Sequence, residues 1–172
     1  MTNTRSISPI AYSAVIAIAL WTGMGIGLLN AFSHIPANNP VVDTIFFVVG
    51  PVLTVPIAHF LMTGLFSRMK RGQEIRFLLL QAFCGLIFAS GTLWFVSTFR
   101  EMLSTGGFLN LARTGSLVGL WGVLLGFLAG WTPWGWSERE LKFATVIGWG
   151  LGAAACGLMI AYVDMLLYAG GY

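Results

Sequence analysis

The nine basic and six acidic side chains of this 172-residue chain are confined to a few short intervals. Between them lie uncharged runs at 6–42, 44–67, 77–99, 114–137 and 143–163. Each is long enough to hold the roughly 20 apolar residues that an α-helix needs to cross a bilayer. In hydrocarbon every backbone N–H and C=O must find a partner within the protein, and an apolar run of this kind meets that demand as a helix. Composition agrees: 9% of residues are charged and 57% hydrophobic, whereas a soluble domain carries about 25% charged residues. The expected fold is an all-α integral membrane protein, a single polytopic domain over 1–172 with about five transmembrane helices. Their expected positions are 10–32, 41–66, 77–99, 114–131 and 138–168, and four helices plus a re-entrant segment is the alternative.

The second of these helices carries the least ordinary stretch, GPVLTVPIAHF from Gly50 to Phe60. Pro51 and Pro56 each lack an N–H and press on the carbonyl one turn back, so the helix is expected to kink or break there. Unwound carbonyls beside a polar side chain are what transporters use at discontinuous helices. His59 is an ionisable group placed inside the hydrocarbon, about eight residues from the helix end and so roughly 12 Å deep. Such a residue is a functional-site candidate. The candidate substrate-binding set is therefore His59 with Thr54, Thr63, Pro51 and Pro56; the bland alternative is a neutral histidine bonded to a carbonyl in a packed bundle. Asp164 lies near the far end of the fifth helix, too distant along the membrane normal to pair with His59, and is expected to meet headgroups, water or Arg113.

Other chemistry finds little to build on. No catalytic residue, metal site or cofactor is expected: His34 and His59 fall at different levels, no paired carboxylates share a span, and Cys84 and Cys156 lack ligand or redox spacing. No basic stripe points to nucleic acid. The apolar stretch 10–32 is of spanning rather than signal-peptide length.

Small residues recur every three or four positions at Gly115, Gly119, Gly122, Gly126 and Gly130, with shorter sets at Gly23 and Gly27, Gly85 and Ala89, and Gly148 and Gly152. This pattern lets helix backbones approach closely, within the bundle or against a partner. Trp131, Trp134 and Trp136 read as an interfacial anchor. Ser137 and Glu140 match a capping box at the start of the fifth helix. With the N-terminus inside, Arg5, Arg68, Lys70, Arg71, Arg76, Arg139 and Lys142 fall on the cytoplasmic side, and Arg100 and Arg113 on the other. That bias places the N-terminus in the cytoplasm and the C-terminus outside a bacterial-type inner membrane. Seven residues, KRGQEIR, are similar to the basic loop after the second helix in small membrane subunits of periplasmic-binding-protein-dependent tripartite transporters. Glu74 stands where that family has a histidine and the helix count exceeds the family's, so the family is not assigned.

Five short helices with one polar site seldom enclose a solute path alone. The expected function is thus a small membrane subunit or accessory protein of a larger complex, in transport, with the lipid bilayer and other membrane subunits, or itself, as partners. A small homo-oligomeric carrier or channel, and an enzyme of a lipid or quinone-like substrate, are the alternatives.

Overall fold

The computed structural model describes residues 8–33, 40–62, 73–104 and 107–169. They form five helices: α1 (Pro9–Ser33), α2 (Pro40–Met62), α3 (Gln73–Ser104), α4 (Gly107–Trp131) and α5 (Arg139–Ala169). All five are long and apolar enough to span a membrane. Pro9 and Pro40 open their helices, where the missing N–H would have had no intrahelical partner. Beyond α2, residues 63–72, with Thr63, Arg68, Lys70 and Arg71, lie outside the described residues.

Consecutive helices are neighbours, and α5 returns to α1, so the bundle closes as a ring; α3 also touches α5 across it. The α4–α5 pair has the most extensive contact, and its cause is the glycine stripe. Gly115, Gly119, Gly122, Gly126 and Gly130 all face α5, where an added Cβ would press on Leu158, Ala154, Ala153, Val146 and Lys142 in turn. Helix backbones can approach this closely only where side chains are missing. On the inner side, Tyr12, Ile16, Leu20 and Met24 of α1 meet Trp149, Ala153, Cys156 and Ile160 of α5 in one core. Steps of three or four residues place each set on one helix face. Cys84 and Cys156 are buried and free.

Three expectations are corrected. First, α2 is not broken: it continues as helix through Pro51 and Pro56. The prolines deprive the carbonyls of Phe47 and Val52 of their usual donors, but the segment is clamped from both sides, by Gly23 of α1 at Gly50–Pro51 and by Gly85 of α3 at Pro51–Val52. Second, α3 extends past both ends of the expected 77–99 and takes Glu74, Arg76 and Arg100 into its helix, because charge ends a membrane span without ending a helix. Its bend falls at Phe99 (φ −110°, ψ 16°), where the apolar stretch stops. Third, α5 starts at Arg139, and the carbonyl of Glu138 accepts from the N–H of Lys142 at 3.1 Å. Glu138 is therefore the N-cap and Ser137 lies one residue outside it, so the Ser137–Glu140 box is out of register.

Candidate functional site

His59 is fully buried near the described end of α2, at the end of the bundle where α1 and α3 begin. Two aromatic rings pack against it and a third packs on those two. The hydroxyl of Tyr12, from the first turn of α1, bonds Nδ1 of His59. Phe77 of α3 stands edge-on with ring centroids 5.0 Å apart. Trp136 comes from the α4–α5 connection and packs edge-on against both Tyr12 (5.7 Å) and Phe77 (5.2 Å). Its indole Nε1 donates to the Tyr12 oxygen at 2.8 Å.

The direction of this chain follows from what each group can do. An indole N–H can only donate, so the Tyr12 oxygen accepts there, and its own proton is free to go to Nδ1. The imidazole then carries its proton on Nε2. Gln81 of α3 lies beside His59 and accepts from the indole of Trp149 in α5 at 3.4 Å. Thr145 stands next to the Tyr12 hydroxyl and donates to the Leu141 carbonyl at 2.8 Å. All five helices or their connections thus contribute to one polar knot at one end of the bundle.

The turn that delivers Trp136 is tight. Gly135 donates its N–H to the Thr132 carbonyl at 2.9 Å, and a Cβ at Gly135 would lie 2.9 Å from the Ala129 carbonyl oxygen. The loop folds back onto the end of α4, and only a glycine fits there. Trp131 and Trp134 are 41% and 47% exposed, as an interfacial anchor requires, but Trp136 is 4% exposed. It is a plug, not part of a belt.

The residues expected to form a substrate site are not gathered into one. Pro51 and His59 share the inward stripe of α2, but eight residues separate them, about 12 Å along the axis. Thr54 turns toward Gly23 of α1 and donates its hydroxyl to the Gly50 carbonyl at 3.0 Å. Pro56 is half-buried. Thr63 is outside the described residues. The Thr54→Val chain, which keeps the side-chain shape, is expected to shift stability by no more than about 1 kcal/mol, since the Gly50 carbonyl keeps its backbone donor. Thermal unfolding in detergent checks this.

Cavities open elsewhere. One of about 360 Å³ lies between α3 and α4, lined by Gly91, Thr92, Phe95, Val118 and Trp121. Another, of about 200 Å³, lies between α1, α2, α3 and α5, lined by Gly27, Phe47, Leu93, Val96 and Ile160. His59 lines neither. Asp164 lies one turn beyond Ile160 and is half-buried; among the described residues its Oδ2 has no hydrogen-bond partner. Arg113 is exposed. Among the described residues no three His, Cys, Asp or Glu side chains come together as metal ligands.

Tyr12, Phe77, Gln81, Thr145 and Trp149 carry the knot and were not among the residues singled out from the sequence; Trp136, which joins them, was read there as an anchor. Gln81 alone had a usable signal, an uncharged amide inside a spanning run. A comparison with known protein families, curated proteins and solved structures finds no match for this chain.

Proposed function

We propose that this chain is an integral subunit or accessory protein of a larger assembly in a bacterial-type inner membrane, with its N-terminus cytoplasmic and its C-terminus outside, and that the assembly works in transport. The observation that supports this reading is the engagement of His59. The ionisable group deepest in the second helix is held by Tyr12 inside an aromatic cage that ties the bundle's end together. A carrier acting alone needs its polar groups to face a path; here they bind one another. A protein whose polar chemistry is used for its own packing fits the role of a scaffold or stabiliser for a pathway built by other chains. The shortage of reactive groups fits a transporter's companion better than a membrane enzyme.

The test is to extract the tagged chain from its native membrane in a mild detergent or polymer disc and measure the mass and composition of what comes with it. Stoichiometric recovery with unrelated membrane proteins that form a solute pathway is the expected result. Recovery as a monomer or homo-oligomer alone would overturn the reading.

A further inference from the structure

Trp121, midway along α4, has a buried indole Nε1 with no hydrogen-bond acceptor among the described residues. An indole N–H can only donate, and when buried it ordinarily finds a partner. Here its edge of the ring lies over Gly91 of α3, where an added Cβ would stand 2.8 Å from Nε1. The same ring borders the cavity of about 360 Å³ between α3 and α4, which touch less than any other consecutive pair of helices. Gly91 and Val118 leave the space, and Phe95 and Trp94 give it aromatic walls. Trp94 is 66% exposed, so the cavity opens to the bilayer side. Thr92 also lines it but donates its one hydroxyl proton to the Phe88 carbonyl at 2.8 Å.

We infer that this cavity binds the ring of a lipid-soluble quinone, one ring carbonyl accepting from the Trp121 indole after a small turn of the indole away from Gly91. Polarity is the first argument: a donor without an acceptor, in an otherwise apolar cavity, selects a ligand that carries an acceptor. Depth is the second. The spanning stretch of α4 runs from Leu109 to Trp131, so Trp121 lies about 15 Å from its nearer end. The ester carbonyls of a phospholipid are held at the edge of a hydrocarbon core roughly 30 Å thick and do not reach this level. A quinone dissolves wholly in hydrocarbon and brings its carbonyls with it. A fatty-acid carboxylate fits less well, since no basic side chain lines the cavity and a charge is costly at this depth. Shape is the third: the volume falls within the roughly 300–1,000 Å³ of small-molecule pockets, and flat aromatic walls suit a flat ring.

The full chain in phosphatidylcholine discs, titrated with a decyl-tailed benzoquinone, provides the test. A ligand of the folded state raises the thermal unfolding midpoint as its site fills. The expected result is a saturable rise with the quinone and none with decylbenzene, which has the ring and the tail but no acceptor. Trp121→Phe keeps an aromatic ring and removes the donor, and should raise the half-saturating concentration about fivefold. Val118→Phe, whose ring grows into the empty space, should abolish the rise; if that larger side chain prevents folding, Trp121→Phe decides alone. An equal rise with decylbenzene would mark an apolar groove without a partner for the indole and overturn the inference. An unchanged half-saturation in Trp121→Phe would do the same. So would the absence of any saturable rise, which would leave the cavity to a neighbouring helix.

Discussion

A Gly50→Leu chain is expected to lose 3 kcal/mol or more of bundle stability, about the upper end of what overpacking costs. Gly50 faces Gly23 across the α1–α2 crossing, and a Cβ added at Gly50 would overlap the Gly23 carbonyl. Backbone meets backbone there, so no rotamer change relieves the collision. The consequence extends through α2. Its opposite side rests on Gly85 of α3, and one turn away Gly27 of α1 touches the backbone of Phe47, so a leucine that pushes α1 off also loosens these contacts. Between helices in lipid there is little hydrophobic driving force to make up for lost close packing. Since a folded domain is stable by only about 5–15 kcal/mol, the expected shift is a large share of the whole. Thermal unfolding in a mild detergent, followed by size-exclusion chromatography, would show it, with Gly50→Ala intermediate. An unchanged midpoint for the leucine chain would mean that α1 and α2 do not cross at Gly23 and Gly50.

Trp136→Ala carries the second large effect. If Trp136 were an interfacial anchor like Trp131 and Trp134, truncating it would change stability by less than about 1 kcal/mol, as exposed positions do. As a buried plug between Tyr12 and Phe77 it is expected to cost about 3–5 kcal/mol. Tyr12→Phe separates the polar part from the packing. It keeps the ring and removes the acceptor of the indole N–H together with the hydroxyl on Nδ1, at a cost of about 1–3 kcal/mol for each buried group left without its partner. The two residues touch, so their effects should not add, and a coupling of about 0.5–3 kcal/mol is expected in the double substitution. Strict additivity would show that the Trp136–Tyr12 contact does not hold the end of the bundle closed.

How much could be read from the chain divides along the range of the interactions. The five spans were legible because lipid imposes a local rule: a run without charge must be helical wherever it crosses. The small-residue stripe of α4 was legible as a packing face, but its partner was not, because the same four-residue spacing would serve α5 or a foreign helix equally well. Pro51 and Pro56 pointed to a kink or a break. What keeps the helix whole is glycine on two other helices, and no property of the second run alone reports it. Trp136 was misread for the same reason. Beside Trp131 and Trp134, at the edge of a span, it has the local appearance of an anchor, and its burial depends on Tyr12, 124 positions earlier. His59 could be picked out as an intramembrane histidine, but the direction its ring faces is settled by residues on α1, α3 and the α4–α5 turn.

The Trp136–Tyr12 bond also sets a schedule. Chains are made at about 5–20 residues per second, so across the 124 positions between these residues the first helix waits roughly 6–25 s for its partner. During that interval Tyr12 and His59 can meet each other but not the ring that covers them. This end of the bundle therefore closes as a late step of biogenesis, after α4 has been made and its following turn has emerged.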